Sequence, residues 1–223
     1  WGSHRHVATE AGRACGVPAY ALDYRLAPEV PFPAPVDDTL AAYRALLDRD
    51  INPNQIAIAG DSAGGGLVVA ALVAIRDAGL PQPACGWAVS PWIDMEASGE
   101  SMTTNAPSDP TVQRESILEY SRHYLNGADP RSPLAAPLYA DLTGIAPLLI
   151  QVGAIETLLD DAIRLAGRAA SVGVATRLDI WPEMPHVWHL FHPILTAGRK
   201  AIEEGGSFVK SAMTTGAPFT YRA

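Results

Sequence analysis

A serine set between glycines is the residue of this chain best suited to nucleophilic chemistry. The stretch GDSAG (residues 60–64) matches the pattern G-x-S-x-G and follows a short apolar run at 56–59. A strand that turns this sharply into a helix presents the hydroxyl of Ser62 above the sheet, and such a turn is expected to need glycine on both sides of the serine. The helix that follows directs its first N–H groups at the same point. The backbone N–H of Ala63 is therefore a candidate donor to an oxyanion.

A serine hydroxyl needs a base and an acid that orients the base, and in a strand-turn-helix setting they follow the serine in the order acid, then histidine. Glu156 lies three residues after Gly153, where the chain leaves the apolar run 146–153. Asp160 is the alternative acid, although a position in the first turn of the next helix gives it a separate role beside the helix dipole. His186 follows Pro185 just after the last apolar run, which favours a loop, and it is the candidate base.

Two further histidines follow His186 at intervals of three, a spacing that also suggests a metal site on a helix. No H-E-x-x-H motif surrounds them, so we expect no metal at these histidines. His189 and His192 are expected to support the site or to lie at the surface. The candidate substrate-binding residues are Asp61, Trp92 and Trp188. Core packing is the open alternative for both tryptophans.

Apolar runs bounded by turn signals alternate with helical patterns, which predicts an α/β protein with a mainly parallel sheet flanked by helices. The predicted strands are residues 17–24, 55–60, 83–94, 146–153 and 175–182. The predicted helices are residues 35–50, 64–76, 157–173 and 197–213. Between residues 95 and 144 the pattern breaks into short, proline-interrupted pieces around a helical stretch at 112–125. This indicates an insertion that covers the top of the sheet, within one catalytic domain spanning 1–223.

Composition excludes several classes of protein. The 223 residues carry a net charge of −8 without a run of Lys or Arg, which argues against binding to nucleic acid or to an anionic membrane. The longest apolar stretch, residues 67–75, is far shorter than the roughly 20 residues of a membrane span. The first thirty residues show no signal pattern, which favours a cytoplasmic location. Cys15 and Cys85 lie in apolar surroundings and are expected to be buried and unpaired.

Several segments, taken together, resemble one family along essentially the whole chain. DYRLAPE (23–29), GDSAGGGL (60–67), SPW (90–92) and HVWH (186–189) are similar to segments of the hormone-sensitive-lipase-like carboxylesterases of bacteria, family IV. The resemblance implies an α/β-hydrolase fold, a triad of Ser62, Glu156 and His186, and hydrolysis of short-chain esters without a cofactor. It also implies a homodimer through the edge of the last strand, near Arg177 and Trp181. Many members carry Asp as the acid, so Glu156 is a departure.

The beginning of the chain departs further from this family. Members carry an H-G-G-G stretch shortly before the segment that matches His4, and its N–H groups form most of the oxyanion hole; no such stretch occurs here. We therefore expect a chain truncated at its N-terminal side, lacking the first strands and the cap, with weakened catalysis, since one oxyanion donor alone is worth about 10²–10³ in rate. The predicted function is a serine hydrolase of short-chain esters. A lactone or amide hydrolase with the same triad, or a hydrolase-like binding protein without activity, are the alternatives.

Overall fold

Four parallel strands form the centre of the fold in the computed structural model, which describes residues 4–215. The strands are β1 (Ala57–Asp61), β2 (Cys85–Val89), β3 (Leu148–Gly153) and β4 (Thr176–Trp181), and they lie side by side in chain order. Parallel neighbours need a crossover on one face of the sheet, and helices supply it. Because every strand runs in the same direction, the loops that follow all four strands meet at one edge of the sheet.

Helices cover both faces of this sheet. They are α1 (Arg5–Cys15), α2 (Ala34–Leu47), α3 (Ala63–Asp77), α4 (Ser101–Thr104), α5 (Arg114–Leu125), α6 (Leu159–Ser171) and α7 (Thr196–Thr215). α3 packs on β1 and β2 and is covered by α2, whereas α6 packs on β3 and β4. α1 packs on α7, which lies against β2 and β3. α3 is apolar on nearly every side because it is buried between the sheet and α2.

Alternating side chains of β3 divide the core into two layers. Leu148 and Ile150 join the apolar residues of α3 and α6 on one face. Leu149 points the other way and packs with Trp87 and with α7. All six residues of β3 are buried, as expected of a central parallel strand that is covered on both faces. Cys15 and Cys85 lie in the second layer as free thiols, and burial raises the pKa of Cys85 to about 12.

The strand predicted at residues 17–24 is wrong. This segment is not part of the sheet, and Tyr20 is 80% exposed. An alternating sequence becomes a strand only where another strand lies beside it, and none does so here within residues 4–215. The helix α1, in contrast, was not predicted. The four other predicted strands and all four predicted helices are present, with ends that differ by a few residues.

The segment 95–144 folds against the edge of the sheet where the strands end. It contains α4, α5 and a turn of 3-10 helix at Pro137–Tyr139, and the helix expected at 112–125 is α5. Its apolar residues, among them Met102 and Ile117, form a separate cluster with Trp92 and Leu158. The segment therefore packs on the loops that follow β2 and β3. Within residues 4–215 no helix has the length and apolar character needed to cross a membrane.

Candidate active site

Ser62 lies in the turn between β1 and α3, at the edge of the sheet where the strands end. Its backbone has φ 56° and ψ −120°, a conformation that residues other than glycine rarely adopt. Two hydrogen bonds, one to the last residue of β2 and one to the loop after it, hold it there. Ser62 N–H donates to the carbonyl of Val89 (2.9 Å), and Trp92 N–H donates to the carbonyl of Ser62 (3.0 Å). The turn is thus fixed by its neighbouring strand, and the serine is held at the start of α3.

The glycines around Ser62 do not all serve the same purpose. A Cβ on Gly60 would lie 2.5 Å from the carbonyl oxygen of Gly64, so only glycine fits at Gly60. A Cβ on Gly64 would meet no atom within 4 Å. The prediction that both flanking positions need glycine is therefore wrong for Gly64. Gly66 is required instead, because its Cβ would lie 2.0 Å from the carbonyl oxygen of Trp92, where α3 meets the loop after β2.

His186 lies between Ser62 and Glu156 and is hydrogen-bonded to both. Its Nε2 lies 2.9 Å from Ser62 Oγ, and its Nδ1 lies 2.8 Å from Glu156 Oε2. The loop that carries His186 follows β4 and includes two non-glycine residues with positive φ, Glu183 (61°) and Val187 (50°). This bent backbone brings the imidazole back across the ends of the strands to a serine 124 positions earlier in the chain.

Glu156 is fully buried, and both of its carboxylate oxygens are occupied. Oε2 faces His186, while Oε1 accepts hydrogen bonds from Ser90 Oγ (2.7 Å) and from the N–H of Gly153 (2.6 Å). A carboxylate surrounded by donors is stabilised in its charged form, which suits a partner of an imidazolium. Of the two candidate acids, the structure brings Glu156 to His186. Asp160 instead accepts a hydrogen bond from the N–H of Ser101 (2.9 Å).

The segment 95–144 holds the loop that carries Glu156. Asn105 Nδ2 donates to the carbonyls of Ala154 (3.2 Å) and Glu156 (2.8 Å). Asp109 Oδ2 accepts from the N–H (2.8 Å) and the hydroxyl (3.2 Å) of Thr157. Burial raises the pKa of Asp109, but the hydrogen bonds from Thr157 and from its own turn outweigh burial and keep that pKa below its usual range.

Sequence reasoning missed Ser90, Asn105 and Asp109 as neighbours of the site. Asn105 and Asp109 lie 51 and 48 positions from their partners in the acid loop, and Ser90 lies 66 positions from Glu156. Asn105 and Asp109 are common polar residue types without a motif of their own, and the sequence analysis gave Ser90 no role in the site beyond its place in SPW (90–92). The one available signal was the position of Ser90 directly after an apolar run, which is where loop residues of a parallel sheet approach its site.

A second carboxylate network joins the loop after β2 to α6. Asp161 is fully buried, accepts from the N–H groups of Ile93 (3.0 Å) and Asp94 (3.1 Å), and pairs with Arg164 (2.7 Å). Arg164 also reaches Asp94 at 3.1 Å. Burial raises the pKa of Asp161 to about 7. This network fixes the position of α6, the helix that follows the acid loop.

The candidate substrate-binding residues lie in different environments. Asp61 is partly exposed beside Ser62 and pairs with His4 Nε2 at 3.1 Å. Trp92 is 7% exposed, and its Nε1 donates to the carbonyl of Asp94 within the core of the segment 95–144. Trp188 is completely buried against Trp181. Both tryptophans are packed in the interior, which agrees with the core-packing alternative.

The three closely spaced histidines do not converge. His186 contacts the serine and the acid, whereas His189 is buried and its Nε2 lies 3.0 Å from Gln151 Oε1. Burial lowers the pKa of His189 to about 3, so its ring is neutral at ordinary pH. His192 lies further along, where Arg199 donates to its carbonyl. Throughout the described part of the chain, no group of three His, Cys, Asp or Glu side chains is placed to hold a metal ion.

The start of α3 supplies positive potential beside Ser62. Ala63 is the first residue of this helix, and the first N–H groups of a helix have no partner within it. The first intrahelical bond at this end is donated by Gly66 N–H to the carbonyl of Ser62 (3.1 Å). The N–H of Ala63 and the helix dipole are therefore available to an oxygen that gains negative charge next to the Ser62 hydroxyl.

Comparison with known proteins agrees with this arrangement. A family model described as alpha/beta hydrolase fold matches residues 1–190. The chain belongs to the α/β-hydrolase family. The hydrolase is 48% identical over 214 residues to an acetyl-hydrolase of Streptomyces hygroscopicus, a match that covers 96% of this chain and 72% of the relative.

Comparison with solved structures shows which group of α/β-hydrolases the chain resembles. An esterase from the bacterial hormone-sensitive lipase family superposes on the hydrolase with a TM-score of 0.93 and 57% identity, covering 94% of this chain and 71% of that one. EstE5, crystallised and soaked with p-nitrophenyl butyrate, gives a TM-score of 0.93 and 49% identity, covering 95% and 71% of the two chains. The hydrolase is therefore a member of the hormone-sensitive-lipase-like carboxylesterases, as the resemblance of its motifs implies.

Proposed function

We propose that this hydrolase cleaves short-chain carboxylic esters through an acyl-enzyme on Ser62, with His186 as the base and Glu156 as the residue that orients it. The observation that carries the proposal is the continuous chain of two hydrogen bonds, 2.9 Å from Ser62 Oγ to His186 Nε2 and 2.8 Å from His186 Nδ1 to Glu156 Oε2. A serine hydroxyl becomes a useful nucleophile when a base can take its proton during attack, and this geometry provides that base.

In the first half of the reaction, His186 Nε2 takes the proton of Ser62 Oγ while that oxygen attacks the ester carbonyl carbon. The N–H of Ala63 donates to the oxyanion of the tetrahedral intermediate. When the intermediate collapses, the bond to the alcohol oxygen breaks and His186 returns the proton to that oxygen. Glu156 stays ionised throughout, because it stabilises the imidazolium and holds Nδ1–H without taking the proton.

In the second half, water replaces the alcohol. His186 takes a proton from the water as the water oxygen attacks the acyl carbon on Ser62. The second tetrahedral intermediate collapses, Ser62 Oγ leaves with the proton from His186, and the carboxylic acid is released. The side chains therefore return to their starting protonation states. Water is the second reactant, and His186 carries the transferred proton in both halves of the reaction.

The choice of short acyl groups rests on the relatives. One is named an acetyl-hydrolase, and another was soaked with p-nitrophenyl butyrate. The test is a series of p-nitrophenyl esters from acetate to decanoate, compared with a lactone and a p-nitroanilide. We expect the highest kcat/KM on the acetate or butyrate ester. A higher value on the lactone or the anilide would overturn the ester proposal, and a maximum at decanoate would overturn the short-chain preference.

The role of Ser62 is tested with Ser62→Ala in the same assay. Ser207→Ala is the matched control, since Ser207 is an exposed serine on α7 whose hydroxyl donates to the carbonyl of Glu203 on its own helix. We expect Ser62→Ala to lose at least ~10³-fold in kcat and Ser207→Ala to keep the original rate. Activity that survives Ser62→Ala would contradict the triad.

We also infer that two copies of the hydrolase pair through the outer edge of β4, between Arg177 and Trp181. β4 bonds to β3 on one side only within residues 4–215, and Ile180 on it is 43% exposed. The unpaired N–H and carbonyl groups of an edge strand are suited to pairing with a second copy. Sedimentation velocity should show a dimer that Ile180→Asp converts to monomer. A monomer at all concentrations before substitution would contradict the inference.

A further inference from the structure

Ser90 is a fully buried serine at the end of β2, between the acid and the base of the proposed triad. Its backbone has φ 46°, an uncommon conformation for a residue other than glycine. Its N–H donates to the carbonyl of Gln151 at 2.7 Å, which anchors it to β3. The sheet therefore holds the backbone that carries this hydroxyl.

The hydroxyl of Ser90 connects two loops. Ser90 Oγ lies 2.7 Å from Glu156 Oε1, and it accepts a hydrogen bond from the N–H of Val187 at 3.2 Å. Val187 is the residue directly after His186. One hydroxyl thus contacts the acid itself and the backbone that carries the base.

The direction of these bonds follows from the atoms. A hydroxyl has one proton and two lone pairs. Because the N–H of Val187 occupies a lone pair, the hydroxyl proton is directed at Glu156 Oε1. With the N–H of Gly153 at 2.6 Å, this oxygen receives two donors, while the other oxygen faces His186.

We propose that Ser90 is a positioning residue of this active site, which holds Glu156 in the orientation that serves His186 by donating to Oε1 of its carboxylate. The proposal rests on the proposed function, since it assigns a role within the same triad. The hydroxyl of Ser90 contacts Glu156 and the backbone of Val187, and Ser90 therefore acts through Glu156. Its buried hydroxyl also accepts a hydrogen bond from the N–H of Val187, a residue with positive φ in the loop that carries His186.

Loss of this hydroxyl has a consequence for proton transfer. A carboxylate that loses a donor attracts the imidazolium more strongly. The protonated histidine, which cannot act as a base, then persists to higher pH. At the same time Glu156 keeps only one donor on Oε1 and can rotate, so fewer molecules have the productive geometry.

The experiment compares Ser90→Ala with the original chain in pH profiles of kcat and kcat/KM for p-nitrophenyl butyrate. We expect kcat to fall roughly 10-fold or more, KM to change less than about two-fold, and the acid limb of the profile to move up by about half a pH unit or more. Ser121→Ala is the matched control. Ser121 is also buried, and its hydroxyl bonds to the carbonyl of Met95, away from the triad.

Ser90→Gly provides the same readout if the alanine variant does not fold, because glycine suits the backbone at φ 46°. Normal kcat with an unmoved acid limb in a folded variant would overturn the proposal. A fall in kcat without movement of the acid limb would also overturn it, since that result describes a packing role. The Ser62→Ala variant distinguishes a failure of the proposed triad from a failure of the role of Ser90. If it stays active, the triad itself fails; if it is inactive and Ser90→Ala is unaffected, only the role of Ser90 fails.

Discussion

The buried imidazole of His189 makes the stability of this fold depend on pH. Burial lowers its pKa to about 3 in the folded protein, from a reference value of 6.5. The unfolded chain binds a proton there as the pH falls below 6.5, whereas the folded chain keeps the ring neutral. The stability contributed by the neutral ring is therefore complete above pH 6.5 and is lost as the pH falls toward 3.

The size of the effect follows from proton linkage. Between pH 7.5 and pH 5, the two pKa values give a loss of about 2 kcal/mol in the free energy of unfolding. At pH 5 this figure depends mainly on the unfolded value, and any folded pKa below ~4.5 gives nearly the same result. The variant His189→Gln removes the titrating ring and keeps an N–H donor for Gln151. Its stability should lack this component of the pH dependence.

The assay is urea unfolding followed by tryptophan fluorescence at pH 7.5 and pH 5. Between the two pH values, the original chain should lose about 2 kcal/mol more than His189→Gln does. Other groups, including Asp161 with a pKa raised by burial to about 7, are present in both proteins and cancel in the comparison. His123→Gln, which changes an exposed histidine on α5, is the control and should follow the original chain. Equal losses in the original chain and in His189→Gln would refute the reasoning.

The turn at Ser62 and the acid loop give two further predictions. Gly60→Ala should lower the free energy of unfolding by about 3 kcal/mol, because its Cβ would lie 2.5 Å from a backbone oxygen. Gly64→Ala should change this free energy by less than about 1 kcal/mol. Equal changes in the two variants, measured by urea unfolding, would contradict the assignment of the close contact. Asp109→Asn should lower the free energy of unfolding by about 2 kcal/mol, because an amide N–H₂ replaces an acceptor that faces several N–H and hydroxyl donors. An unchanged free energy of unfolding would show that Asp109 does not hold the loop at Thr157.

Much of the fold could be predicted because local patterns and tertiary packing agree. The apolar runs that became β1, β2, β3 and β4 are bounded by turn residues, and α3 is apolar on almost every side. The segment 17–24 has the same kind of pattern and is not a strand. Its sequence satisfies one condition for a strand, and the second, a neighbouring strand, cannot be read from the segment itself.

The candidate site was predictable to the extent that chemistry imposes a pattern. A strained turn and a fixed order of acid and base indicate Ser62, His186 and an acid at Glu156 or Asp160, and the structure brings Ser62, His186 and Glu156 together. Which residues support these three depends on which loops lie next to one another in the folded chain. The motif SPW (90–92) therefore did not reveal that the hydroxyl of Ser90 contacts Glu156, and the burial of Trp188 could not be distinguished from a place in a pocket.

The most direct test of the account is to locate the site of modification by a fluorophosphonate probe, using peptide mass spectrometry on the folded 223-residue chain. An activated serine reacts with such a probe, and an ordinary surface serine does not. The account predicts one adduct, on Ser62, that is absent in Ser62→Ala and slowed at least ~10²-fold in His186→Gln. An adduct on another serine, or labelling of Ser62 at an undiminished rate in His186→Gln, would contradict it.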